Sequence, residues 1–171
     1  MLKIFMPNEH VKSIFEITPE YLLEKGIKGI ITDLDNTLVP WNVADATPKV
    51  KQWFNAMTEH DIKITVMSNN NEDRVKVFSE PLKIPYVYKA NKPLGKGFKK
   101  AVSIMGIEKK QVVVLGDQLL TDILGGNLAG LYTVLVAPIV ETDAKITKFN
   151  RKIERRILRS LRKKGMINWE E

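Results

Sequence analysis

Apolar residues in this chain follow two rhythms. Short, near-continuous blocks at residues 27–34, 62–67, 84–88, 111–115 and 132–136 read as strands, because a parallel sheet covered on both faces needs apolar side chains on both sides of each strand. Between them the repeat is helical. Thr47-Pro48 opens a helix to about His60 that sets Val50, Trp53, Phe54 and Met57 on one stripe. A second runs from Glu72 to about Glu80 with Val75 and Phe78 inward. The third, from Gly95 to about Met105, has Phe98, Ala101, Val102 and Met105 at core spacing and Gly106 as its stop, and a fourth covers roughly 120–128. Pro85 cannot donate to a ladder, which puts its strand at the periphery. Residues 8–26 read as an approach segment against the sheet edge, with a short helix capped by Thr18-Pro19-Glu20 and stopped at Gly26.

Strands alternating with helices predict an α/β protein, a three-layer Rossmann-like fold around a mostly parallel five-stranded sheet. Four of the predicted strands or strand-end loops close on unusual polar residues: Asp33 and Asp35, Ser68-Asn69-Asn70, Asn91-Lys92-Pro93, and Gly116-Asp117-Gln118. In an open parallel sheet that edge is where ligands bind. No cap domain fits, since residues 38–67 hold one loop and one helix and residues 71–91 one helix and one strand.

The chain of 171 residues is sized for one domain, and its 44% hydrophobic and 27% charged residues are those of an ordinary globular protein. It has no cysteine, which excludes disulfides, thiol nucleophiles and thiolate metal sites. The N-terminal apolar run is too short for a signal peptide, and the longest apolar stretch, roughly 130–140, falls well short of the ~20 residues that span a bilayer. The expectation is a cytoplasmic protein.

Asp33 and Asp35 end a buried strand, and two carboxylates delivered to one point cost free energy unless a cation or a reaction needs them. Asp117 and Asp122 arrive from the fourth strand end and the helix that follows it. Clustered carboxylates, with only two histidines in the chain, suit a hard cation, Mg2+ first. Lys92 from a third loop then faces an anion. This is equipment for phosphoryl transfer through an aspartyl-phosphate, with Asp33 attacking phosphorus, Asp35 moving the proton, and Lys92 and Ser68 holding phosphoryl oxygens.

Asp33-Leu34-Asp35-Asn36-Thr37, Met67-Ser68-Asn69-Asn70, Lys92-Pro93, and Gly116-Asp117 with Asp122 together resemble the four motifs of the haloacid dehalogenase superfamily, in order and spacing over residues 27–136. That resemblance implies Asp33 as nucleophile and Asp35 as acid/base whose main-chain carbonyl also binds Mg2+. It also implies Asp117 and Asp122 around the metal, and Ser68, Asn69 and Lys92 at the phosphoryl group. Asp35-Asn36-Thr37-Leu38-Val39-Pro40-Trp41 and Gly116-Asp117-Gln118-Leu119-Leu120-Thr121-Asp122-Ile123 further resemble the YqeG-type branch, similar to mitochondrial phosphatidylglycerophosphate phosphatase. The implied substrate is phosphatidylglycerophosphate; a soluble sugar phosphate, nucleotide or nucleic-acid end is the alternative. A binding module that keeps the fold without turnover is a further one.

Charge singles out the C-terminus. The net charge is +7, yet residues 145–164 hold ten Lys or Arg against Glu154 alone, a local +9 that leaves the rest at −2. Phe149, Ile153, Ile157 and Leu161 fall at four-residue steps, with Leu158 beside them. The sequence therefore divides into a phosphatase domain at 1–140 and a basic amphipathic tail at 141–171. That tail suits an anionic membrane surface, where each basic residue near the surface adds up to about 1 kcal/mol, or else docks on the protein's own core. Nucleic acid is a lesser candidate, and a neighbouring subunit covering an uncapped site is compatible with the same reading.

Overall fold

The computed structural model describes residues 2–140 and 145–169, with side chains in the second stretch from residue 150 onward. In chain order the strands and helices are β1 (Glu9–Val11), α1 (Pro19–Glu24), β2 (Gly29–Thr32), α2 (Pro48–Glu59), β3 (Lys63–Met67), α3 (Glu72–Ser79), β4 (Tyr86–Val87), α4 (Gly95–Met105), β5 (Val112–Gly116), α5 (Leu124–Ala129), β6 (Tyr132–Val136) and α6 (Lys145–Lys163). The strands form one sheet in the order β1-β6-β5-β2-β3-β4, and every pairing is parallel.

Burial on both faces explains the continuous apolar blocks. Along β2, Ile30 points into one core with Val113, Val66 and the α2 stripe of Val50, Trp53, Phe54 and Met57. Ile31 points to the opposite core with Val112, Val114, Phe98 and Met105. Helices α1, α2 and α3 thus cover one face, and α4 covers the other; the predicted α2 stripe is buried in full, and the α4 stripe at Phe98, Ala101 and Met105 with Val102 half-buried. Trp53 also reaches out of its stripe to donate from Nε1 to the Ile17 carbonyl at 2.8 Å, a contact that satisfies its one polar atom.

The sheet has six strands rather than five. The additional one, β1, is three residues long and pairs Glu9, His10 and Val11 with Val134, Leu135 and Val136. Two of its three residues are polar, so it has no periodicity of its own and is a strand only because β6 offers an edge. β4 lies at the other edge, where Pro85 lacks a donor but its carbonyl still accepts from Val66 N at 3.0 Å. The segment expected as one helix over 120–128 is instead a π-helical turn at Leu119–Ile123 leading into α5. Between β2 and β3, and between β3 and β4, there is one α-helix each, leaving the carboxyl edge of the sheet open.

The C-terminal helix packs on the body. Leu158 and Leu161 are buried with Leu119, Ile123, Leu135 and Ile167. The docked side of α6 runs through Glu154, Leu158 and Leu161, while Ile153 and Ile157 are half-buried. Phe149 lies outside the described side chains. Among the described residues no helix is long and apolar enough to cross a membrane.

Candidate active site

Asp33 is placed by the central strand. Its amide donates to the Leu115 carbonyl at 2.9 Å, one step beyond the last paired residue of β2, so the carboxylate emerges where the ladder ends. The chain then turns back at once. Asn36 has a φ of 63°, a left-handed conformation that Asn tolerates better than most side chains, and its amide bonds to the Val39 carbonyl at 2.7 Å. This turn leaves Asp33 buried and brings Asp35 to the rim.

Lys92 is buried beside Asp33. Its ammonium donates to Asp33 Oδ1 and to Asp122 Oδ1, each at 2.6 Å, and to the Met67 carbonyl at 3.1 Å, so all three protons have acceptors. The main chain of Lys92 is braced from the β3 loop. Asn69 Oδ1 accepts from Lys92 N at 2.7 Å and Asn69 Nδ2 donates to Lys92 O at 3.1 Å. Ser68, also buried, accepts from Asn70 N at 3.1 Å through its hydroxyl oxygen. Burial alone would lower the Lys92 ammonium pKa, but Asp122 and then Asp33 outweigh it and hold it above the ordinary lysine range.

β5 supplies the other two carboxylates. Asp117 follows Gly116 directly, and the π-helical turn folds Asp122 back over the strand end. A Cβ on Gly116 would lie 2.3 Å from the Asp122 carboxyl carbon, so only glycine admits that approach. Asp122 Oδ2 accepts from Gln118 N at 3.2 Å. Thr37, buried in the turn after Asp35, donates to Asp117 Oδ1 at 3.3 Å.

One oxygen from each of Asp33, Asp117 and Asp122 lies within 4.8 Å of the other two, and all three residues are buried. Burial pushes the Asp33 carboxyl up to about 6, with Lys92 opposing and Asp122 adding to the rise. Burial likewise raises Asp117 well above the carboxylate range, against the pull of Arg151. Three buried acids that offer carboxylate oxygens as ligands fit a hard divalent cation, which would take over the charge that burial penalises. Asp35 stands outside this cluster.

Asp35 is instead gripped from α3. Arg74 donates from Nη2 to Asp35 Oδ1 at 2.8 Å and from Nε to the same oxygen at 3.0 Å, while Asn70 Nδ2 donates to Oδ2 at 3.1 Å. Nη1 of Arg74 is anchored on the Ala44 carbonyl at 3.1 Å. Arg74→Ala therefore removes both guanidinium bonds that orient the Asp35 carboxylate and leaves the Asn70 amide. If that carboxylate moves the proton, as the resemblance implies, the expected result is a fall in kcat of about tenfold. Arg74→Lys recovers only part of it, because a point charge cannot reproduce the fork. Steady-state kinetics on a small aryl phosphate measures both.

Asp117 is gripped from α6. Arg151 Nη2 pairs with Asp117 Oδ2 at short range, and Nη1 donates to the Asp117 carbonyl at 2.6 Å and to Glu154 Oε2 at 3.2 Å. Glu154, buried, uses its other oxygen to accept from Leu120 N at 3.0 Å. Helix α6 is thus bonded into the strand-end loop that carries Asp117. Arg151→Ala leaves that buried carboxylate without its cation and is expected to cost about 3 kcal/mol in a denaturant titration of metal-free protein, less once Mg2+ is added.

The structure brings together Asp33, Lys92, Asp117 and Asp122 by direct contact or proximity, sets Ser68 beside the Lys92 loop, and turns Asp35 toward Arg74. Arg74, Thr37, Arg151 and Glu154 were not among the residues expected at the site. Glu154 had a signal: it is the single acid in the basic run, three residues after Arg151. His10 stacks on Trp169 with ring centroids 4.1 Å apart, and His60 is exposed at the end of α2, so neither enters the site.

A strand-end nucleophile candidate, a buried lysine across from it and a carboxylate pair on the neighbouring strand define a class of phosphoryl-transfer proteins, and known sequences agree. A family model described as HAD-hydrolase-like matches residues 89–163. The protein named Probable phosphatase YqeG from Bacillus subtilis (strain 168) is 60% identical over 169 residues, covering 99% of this chain and 98% of its own. Phosphatidylglycerophosphate phosphatase 1, chloroplastic/mitochondrial, from Arabidopsis thaliana is 27% identical over 173 residues; the match covers 94% of this chain but 49% of that protein. Among solved structures, the cobalt-bound deoxy-D-mannose-octulosonate 8-phosphate phosphatase from Haemophilus influenzae superposes with a TM-score of 0.56 at 16% identity, over 85% of this chain and 95% of that one, a likeness of fold. The chain belongs to the haloacid dehalogenase-like hydrolases and is a phosphatase of the YqeG type.

Proposed function

We propose that this phosphatase hydrolyses the monoester of phosphatidylglycerophosphate through an aspartyl-phosphate on Asp33, with Mg2+ as its cation. The observation that carries the reading is Asp33 itself: a buried carboxylate at the end of the central strand, held by Lys92 and set among Asp117 and Asp122. The named activity of the distant plant relative supports the substrate class.

In the proposed reaction an Asp33 oxygen attacks phosphorus as the bond to the alcohol oxygen breaks, and Asp35 delivers a proton to that leaving oxygen. Water then attacks phosphorus of the acyl phosphate while Asp35 takes its proton, releasing inorganic phosphate and restoring Asp33. Lys92 neutralises phosphoryl charge, and the Ser68 hydroxyl holds an oxygen of the group; Asn69 braces the Lys92 main chain next to it. Asp33, Asp117 and Asp122, with the Asp35 carbonyl, would hold Mg2+, which when bound supplies charge neutralisation for the transferring group. Phosphate release from a panel of phosphatidylglycerophosphate, glycerol 3-phosphate, a nucleotide and an aryl phosphate, with Mg2+ or EDTA, tests the reading. Turnover that ignores EDTA removes the cation, and a preference for a soluble ester removes the lipid.

A further inference from the structure

Between the carboxyl end of β6 and α6 lies a cavity of about 640 Å3 whose lining includes Asp117, one of the three carboxylates clustered with Asp33. That is the size of a small-molecule site and far more than a phosphoryl group needs. We propose that it is the leaving-group pocket: it seats the alcohol half of a lipid-borne phosphomonoester, and α6 is its specificity wall. The proposal rests on the phosphatase reading and adds to it the place and the residues that select the substrate.

The chemistry of the walls is divided. Leu135 and Pro138 from the β6 side and Leu158 and Trp169 from the α6 side make up the apolar part of its lining, beside His10, Asp117, Arg151 and Glu154. The acids in it are already matched: Arg151 pairs with both Asp117 and Glu154, and the second Glu154 oxygen takes the Leu120 amide. Arg155 is different. It lines the same cavity, is exposed, and makes no ion pair among the described residues. A guanidinium with no ion pair among the described residues, beside apolar wall residues in a cavity that reaches Asp117, fits a molecule with a second anionic group next to apolar carbons.

The outer surface favours a lipid source. From Arg155 the exposed side of α6 continues through Arg159 and Arg162 at helical spacing, flanked by Lys152, Arg156 and Lys163. The inner face of the helix is consumed by docking through Leu158 and Leu161. A mouth set beside a cationic stripe receives its ligand from an anionic layer, where each such residue adds attraction. Trp169, stacked on His10 of the edge strand, brings the chain after α6 into the lining of the same cavity.

The test compares wild type with Arg155→Glu and Trp169→Ala on two substrates: a short-chain phosphatidylglycerophosphate in micelles and p-nitrophenyl phosphate. Neither residue touches the reacting atoms, and thermal melts check that both variants fold. The expected result is a fall in kcat/KM of about tenfold on the lipid, the scale of one lost charged contact, with the aryl ester changed by less than about twofold. Equal losses on both substrates, or no loss on the lipid, overturn the pocket. So does a wild-type preference for glycerol 3-phosphate over the lipid. If no ester is hydrolysed by folded wild type with Mg2+, the phosphatase mechanism itself falls and takes the pocket with it.

Discussion

Asp33→Asn abolishes phosphate release while leaving the protein folded. The amide is isosteric with the carboxylate but cannot form an acyl phosphate, so the loss is that of the whole covalent route, about 10^4-fold or more in kcat. Folding survives because the substitution removes one of several crowded charges. Lys92 keeps Asp122 as an anionic partner at 2.6 Å, and the burial that lifts the Asp33 carboxyl to about 6 no longer opposes folding at neutral pH. Thermal melting with and without Mg2+, beside turnover, separates the two effects. A variant with undiminished turnover contradicts the assignment of the nucleophile.

Lys92→Ala has the second largest effect, and it acts on stability as well as on rate. The ammonium is the cation placed between Asp33 and Asp122, and its side chain is 3% exposed. Taking it out leaves three carboxylates within 4.8 Å. Breaking a buried ion pair from one side costs about 3–5 kcal/mol, expected here as a lower denaturant midpoint for metal-free protein. Turnover falls by a further, independent cause, since the charge that would face the phosphoryl oxygens is gone; about 10^2- to 10^3-fold is the scale for one such donor. Mg2+ should raise the melting temperature of the variant more than that of wild type, because the cation then meets carboxylates that no lysine has neutralised. Lys92→Met, which restores volume without charge, behaves like the alanine variant. Equal Mg2+ responses in both proteins would show that Lys92 does not share its electrostatic environment with the metal.

Sequence pattern and structure agree where local chemistry and tertiary demand coincide. The block ending in Asp33 is apolar because β2 is buried on both faces, and the loops carrying Ser68, Lys92 and Asp117 converge because parallel strands put all their carboxyl ends on one edge. The stripe of α2 is read correctly because Val50, Trp53, Phe54 and Met57 have only one core to face. β1 is missed for the opposite reason: Glu9 and His10 carry no strand signal, and pairing with β6 alone makes them one.

The same distinction governs the site. Arg74 and Arg151 are two among 27 Lys and Arg residues, and nothing in their neighbourhoods marks them. Their roles come from distance in space: Asp35 lies 39 positions from Arg74, and Asp117 lies 34 from Arg151. The tail shows how a periodic reading drifts. Four-residue steps overshoot the 3.6-residue turn, so the stripe Phe149, Ile153, Ile157 and Leu161 winds around the helix. The docked side is set by Leu119 and Leu135, and it selects Glu154, Leu158 and Leu161. The helix that composition marks as a basic amphipathic tail contributes apolar packing to the body and a cation to Asp117.

The central claim is that Asp33 carries the phosphoryl group, and peptide mapping of a trapped enzyme tests it most directly. Asp35→Asn slows hydrolysis of the intermediate by removing the group that would deprotonate water, while an aryl phosphate, whose leaving group departs without a proton, still forms it. Quenched in acid after mixing with substrate and Mg2+, this variant is expected to carry one phosphoryl adduct on the peptide containing Asp33, and none when Asp33 is also changed to Asn. An adduct on any other residue, or substrate turnover with no adduct on Asp33 under these conditions, would contradict the account.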